Sequence, residues 1–275
     1  MKIINVNVNE SEANSFVDSL PFILNFFSEI TREIVHQVNL EIFRPIAPNQ
    51  LNQVRNEPAY KIEHADMYNA VSHLHSIPIL LKKTNSENCE NGKVDLLGAY
   101  IPSPNQSVTP WIELYVDEIL AATSNDPKHN QYLFTKVLLH ELMHAAMDVN
   151  NQGLNWGEKE KYNTEYGKWR EESFANAGTL FLIKHHGNEE FYQYSKNFML
   201  SQQPPEYKLG VIMSEMHLPH DFYWRVRSKM QDVDDKIKEA WLKYVKGNNI
   251  TIDVLEEFEN IIIYNNVSSP LFKRL

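Results

Sequence analysis

Cysteine is almost absent from this chain of 275 residues: Cys89 is the only one. A single thiol closes no intrachain disulfide and builds no CxxC metal or redox motif. It falls in the polar stretch Lys82–Lys93, read as a surface loop, where an incidental free cysteine is the plain expectation. Long apolar runs are missing too; none approaches the ~18 residues of a membrane-spanning helix. The opening stretch, Met1–Phe16, has no charged segment followed by an apolar one, so no secretory leader is read there. A soluble, cytoplasmic protein without membrane association is therefore expected, although export without a leader would leave no mark. Basic charge is scarce: 26 Lys and Arg face 36 Asp and Glu, for a net charge of −10. No local basic stripe relieves that field, which repels a phosphate backbone, so nucleic acid is not an expected partner. Also absent are a GxSxG elbow, a P-loop and a dinucleotide fingerprint.

What is present fits a folded globular chain. Hydrophobic residues make up 43% and aromatics 11%, enough to argue against disorder. The length allows one large domain or two lobes. Ile3–Val8 alternates apolar residues with Asn and predicts a short strand, followed by helices near Pro21–Asn39 and Tyr60–His75. Leu96–Ile101 and Trp111–Val116 are the clearest strands. In the second, Ile112, Leu114 and Val116 face one way, and Trp111, Glu113 and Tyr115 the other. Pro102, Pro104 and Pro110 exclude a tight two-residue hairpin between them. Asn125-Asp126-Pro127 is a helix start, Tyr166–His186 a second strong helix with Gly187 beyond its end, and the remainder reads as helices. These are Asn188–Gln202, Glu206–Met216, His220–Met230, Asp232–Lys246 and Thr251–Tyr264. The fold expected is α+β and predominantly helical. A catalytic lobe at 1–187, with a small mixed sheet, precedes a helical lobe at 188–275.

The chemistry is concentrated in His140-Glu141-Leu142-Met143-His144, an HExxH pattern inside the helical run Tyr132–Met147. Residues four apart share a helix face, so both imidazoles converge on one point, as two nitrogen ligands of a tetrahedral Zn²⁺ must. Glu141 follows the first His and can reach a water activated by that ion. Val137, Leu138, Leu139, Leu142, Met143, Ala145, Ala146 and Met147 make the helix apolar nearly all round. Such a helix is buried, and two His and a Glu within it are costly without partners. A metal supplies them.

Two His do not complete a catalytic site, which usually takes three protein ligands. Asp148 lies eight residues from His140, about 12 Å along the axis, and is better read as an orienting or solvent-facing residue. Met147 and Asn150 occupy the positions where a metzincin has its Gly and its third ligand. The second helix carries Glu171-Glu172-Ser173-Phe174-Ala175-Asn176. Here the chain resembles the gluzincin branch of the zincin metallopeptidases, which pair HExxH with a downstream E-x-x-A-[DN]. The resemblance covers roughly residues 95–186.

The resemblance implies that Glu172 is the third ligand and that Asn176, one turn on, orients a ligating His more weakly than the Asp often found there. Glu171 stays open as the alternative ligand, and a solvated acidic pair at a helix start is the plain reading of both. It further implies a strand pair before the active helix whose edge holds an extended peptide. The expected activity is zinc-dependent hydrolysis of peptide bonds in a peptide or protein substrate, with Glu141 as general base and later as proton donor to the leaving amine. No G-x-M-E-N stretch is found, which favours an endopeptidase. Tyr207, His217, His220 and Tyr223 are candidate donors to a tetrahedral oxyanion, and no spacing selects among them. His64, His73, His75, His185 and His186 have no partners at telling intervals and read as structural. Hydrolysis of a non-peptide bond and a non-catalytic binding role are the alternatives, and the sequence fixes no oligomeric state.

Overall fold

The computed structural model describes residues 2–31, 39–41, 77–84, 97–101, 110–149 and 165–202, together with 207, 208, 210, 211 and 214. Over these residues the protein is a mixed α/β structure, mostly helical, with a five-stranded sheet. The strands are β1 (Lys2–Asn5), β2 (Asn39–Glu41), β3 (Ile79–Lys82), β4 (Gly98–Ile101) and β5 (Trp111–Tyr115). Their order is β2-β1-β3-β5-β4, parallel throughout except for β4, which runs antiparallel to β5 at one edge.

The register explains which strands the sequence betrayed. Ile3, Ile79 and Ile112 lie in one row, and Leu81 stands beside Leu114. These side chains enter the main core, whereas Ile4, Leu80 and Trp111 form a smaller apolar cluster on the other face. Because both faces are buried, β3 reads Ile-Leu-Leu-Lys without alternation, and the period-2 signal that found β5 could not find it. β2 has no sequence signal either, and it begins at Asn39, the residue to which the predicted helix extended.

The first helix, α1 (Glu10–Thr31), starts well before the expected Pro21, and this corrects the predicted boundary. A capping box sets the start: Asn9 Oδ1 accepts from the Glu12 N–H, and Glu12 Oε2 accepts from the Asn9 N–H, each at 2.9 Å. Pro21 is carried inside the helix. Ala13, Phe16, Leu20, Ile23, Phe27 and Ile30 recur at helical spacing and are buried.

A short helix, α2 (Val116–Ala122), follows β5 directly, so the chain bends at Val116, which had been expected to end the strand. Ser124 and Asn125 adopt left-handed φ of 53° and 60° and turn it into α3 (Pro127–Val149). Asp126 begins α3 by accepting from the His129 N–H at 2.8 Å. The expected Asn-Asp-Pro start is therefore where the helix begins. α3 is the hub, in contact with α1, α2, β4, β5 and both later helices. Those are α4 (Glu165–His186) and α5 (Glu189–Ser201), the latter capped by Asn188, whose Oδ1 accepts from the Phe191 N–H.

Residues 207, 208, 210, 211 and 214 are helical, and Gly210 presses on α4: a Cβ there would stand 2.5 Å from Asn176 Cβ. No helix of the described residues is long and apolar enough to cross a membrane. The predicted helices Tyr60–His75, His220–Met230, Asp232–Lys246 and Thr251–Tyr264, the loop with Cys89 and most of the lobe at 188–275 lie outside the described residues.

Candidate metal centre

His140, Glu141 and His144 are all buried in the middle of α3. One turn of helix brings the two imidazoles together with ring centroids 4.8 Å apart and Nε2 facing Nε2 at 3.1 Å. α4 packs against α3 and supplies Glu172 from the opposite side. Its Oε2 lies 3.1 Å from His140 Nε2, and its Oε1 lies 3.4 Å from His144 Nε2. The structure thus brings together all three residues singled out as ligands.

The donor set fits a small divalent cation. Donors bonded at ~2.0–2.2 Å to a tetrahedral ion stand ~3.3–3.6 Å from one another. His140 Nε2 stands 3.1 Å from both His144 Nε2 and Glu172 Oε2, within a few tenths of an ångström of that, and the other carboxylate oxygen, Oε1, lies 3.4 Å from His144 Nε2. Two imidazole nitrogens and a carboxylate present lone pairs to one point. A shared proton satisfies such groups only pairwise; a cation satisfies all three.

Protonation follows the same logic. Burial pushes His140 down from 6.5 to about 4, outweighing the Glu172 carboxylate beside it, so the ring is neutral near pH 7. Burial pushes the Glu172 carboxyl up, but the facing His144 and His140 rings together hold it well below the ordinary carboxylate value. A neutral imidazole at His140 and an ionised carboxylate at Glu172 are the forms that bind metal. Glu172 is the most open of the three, its side chain 36% exposed, which leaves a way in for an ion or a ligand.

Glu141 projects beside this group towards β4. Burial raises its carboxyl from 4.5 to about 7, moderated by His144 and by a hydrogen bond from the Tyr100 backbone. A carboxyl poised there exchanges a proton readily at neutral pH. Gly98 makes the arrangement possible: a Cβ at that position would meet Val137 Cγ1 at 2.7 Å and Glu141 Oε1 at 3.1 Å. Without a side chain, β4 lies directly against α3.

The structure adds residues that the sequence reading passed over. Gly98 and the Tyr100 backbone flank Glu141, and Lys136 sits one turn before His140. Only Lys136 carried a local signal, as a cation on the 136–140–144 stripe of an otherwise apolar helix. Asn176 is fully buried on α4, and its Oδ1 and Nδ2 have no hydrogen-bond partner, nor does His140 Nδ1. Tyr207 stands by Lys136, 5.4 Å from its ammonium, and is not part of the three-donor group. His185 bonds the Phe181 carbonyl near the end of α4. His64, His73, His75, His217, His220, Tyr223 and the side chains of Asp148 and Glu171 lie outside the described residues. No family model matches the chain, and no curated protein or solved structure matches it either.

Proposed function

We propose that the protein is a zinc-dependent peptidase of the gluzincin kind, with His140, His144 and Glu172 holding the ion and Glu141 as general base. The observation that carries this reading is the approach of Glu172 to both imidazoles from a separate helix. Zn²⁺ in that position supplies Lewis acidity, lowering the pKa of water towards ~7 and polarising a carbonyl. The chain's own residues do the rest. Glu141 accepts the proton of the attacking water and returns it to the leaving amine, a shuttle suited to a carboxyl held near neutrality. The Tyr100 backbone keeps that carboxyl aimed while β4 covers it.

The edge strand supports a peptide substrate over other hydrolysable groups. Leu97 O accepts from Tyr115 N, so by antiparallel alternation the backbone groups of Gly98 and Tyr100 point to the side of β4 away from β5. The Tyr100 backbone already bonds Glu141 on that side, so an extended peptide laid along this edge of the described strands would pass Glu141 and the three donors.

The test compares wild type with Glu141→Gln on a mixed peptide pool, with zinc content measured on both. Cleavage by wild type and its loss in the variant, at equal zinc, is the expected result. Equal cleavage by the two removes the assigned base. Bound zinc without peptide turnover removes the peptidase reading and leaves a non-peptide hydrolase or a non-catalytic binding role.

A further inference from the structure

Lys136 has no part in the reading above, yet it is one of the most buried charged groups among the described residues. It lies in the body of α3, one turn before His140, and only 3% of it reaches solvent. Its ammonium faces two rings, Phe198 of α5 at 5.2 Å and Tyr207 at 5.4 Å. The ring faces attract a cation and offset part of its desolvation. The remainder is electrostatic. Burial lowers the lysine from 10.5 and the carboxylates of Glu141 and Glu172 oppose it; the balance, about 8, leaves it charged near pH 7. The coupling is mutual, since Lys136 acts in turn on Glu141 and disfavours a proton on His140. A lysine placed only for packing would need neither carboxylate.

We propose that Lys136 is an internal counter-cation of the His140–His144–Glu172 centre, balancing its carboxylates when no ion is present and weakening its hold on a divalent cation. The inference rests on the metal-centre reading but not on peptide cleavage. Its sign is distinctive. Damage to a binding site loosens a ligand, whereas removing this charge tightens one, because a positive charge no longer opposes a dication across a poorly screened interior.

The experiment measures Zn²⁺ affinity by competition with a chromophoric chelator for wild type, Lys136→Met, Lys136→Gln and Lys136→Arg. Two neutral variants are used so that a folding failure in one leaves the other, and circular dichroism establishes folding. Both neutral variants are expected to bind Zn²⁺ roughly tenfold tighter or more, and the Arg variant, which keeps the charge, to stay within a few-fold of wild type. Unchanged or weaker binding in the folded neutral variants overturns the proposal, as does tightening in the Arg variant equal to that in Met. Wild type that takes up no Zn²⁺ overturns the centre and this inference together. Cleavage forms no part of the readout, so a failed peptidase reading is distinguished from a failed counter-cation.

Discussion

Glu172 Oε2 on α4 and His140 Nε2 on α3 lie 3.1 Å apart, although 32 positions separate them in the chain. That contact joins the two helices at a point where neither could assemble a binding site alone. It also leaves the metal-free protein electrostatically uncomfortable: an ionised carboxylate faces the neutral His140 ring, whose buried Nδ1 has no partner. A site in this state gains stability from whatever cation enters it.

Zinc should therefore stabilise the fold, and only while all three donors are present. At a Zn²⁺ concentration 100 times the dissociation constant, linkage predicts about 2.7 kcal/mol, or roughly 5–10 °C in melting temperature for a chain of this size. Glu172→Gln should lose most of that gain while melting near wild type in chelator, because its side chain is partly open. Differential scanning fluorimetry with and without Zn²⁺ reads both. An undiminished zinc shift in Glu172→Gln would assign the third donor elsewhere.

The pH dependence of metal-free stability separates the two central groups of α3. His140 is depressed from 6.5 to about 4, so its contribution is fully present above pH 6.5 and is lost as pH falls towards 4. Glu141 is raised from 4.5 to about 7, so its contribution is present below pH 4.5 and is lost as pH rises towards 7. Between pH 4.5 and 6.5 the two oppose one another, and wild type should show little net slope from this pair. Glu141→Gln leaves His140 unopposed. Its metal-free stability should fall by roughly 3 kcal/mol relative to wild type on going from pH 7 to pH 4. Urea unfolding in chelator across that range measures the difference, and parallel curves for the two proteins would contradict the assignment.

How much of this was legible in the sequence depended on whether a signal was local. HExxH needs only helical periodicity to put His140 and His144 on one face, and Asn125-Asp126-Pro127 marks the start of their helix. Glu172 was reached through a family resemblance, because no spacing rule joins residues on two helices. The capping box at Asn9 and Glu12 is equally local, yet the predicted helix begins at Pro21, which lies inside α1. β3 was illegible for a physical reason: buried on both faces, it has no alternation. Gly98 acquires meaning only through the carboxylate that the fold brings against it, whereas Lys136 stands out locally as a cation on an apolar helix and gains its two aromatic rings from the fold.

Gly98 gives the sharpest test of how Glu141 is positioned. A methyl group at 98 would fall 2.7 Å from Val137 Cγ1 and 3.1 Å from both Glu141 Oε1 and the Glu113 carbonyl. The backbone carbonyl is fixed in the β4–β5 ladder, so the strain must go into Val137 or into Glu141, the proposed base. Overpacking of this kind costs about 1–3 kcal/mol, and a displaced base lowers the rate of the chemical step. Gly98→Ala is expected to reduce kcat roughly tenfold or more with Zn²⁺ affinity unchanged, since the atoms nearest the new methyl belong to Val137, Glu113 and Glu141. Val137→Ala in the same chain removes the nearest obstacle and should restore most of the lost kcat, although alone it opens a small cavity and helps nothing. If the double variant is no faster than Gly98→Ala, Val137 does not transmit the strain to Glu141, and the glycine serves only to let β4 pack on α3.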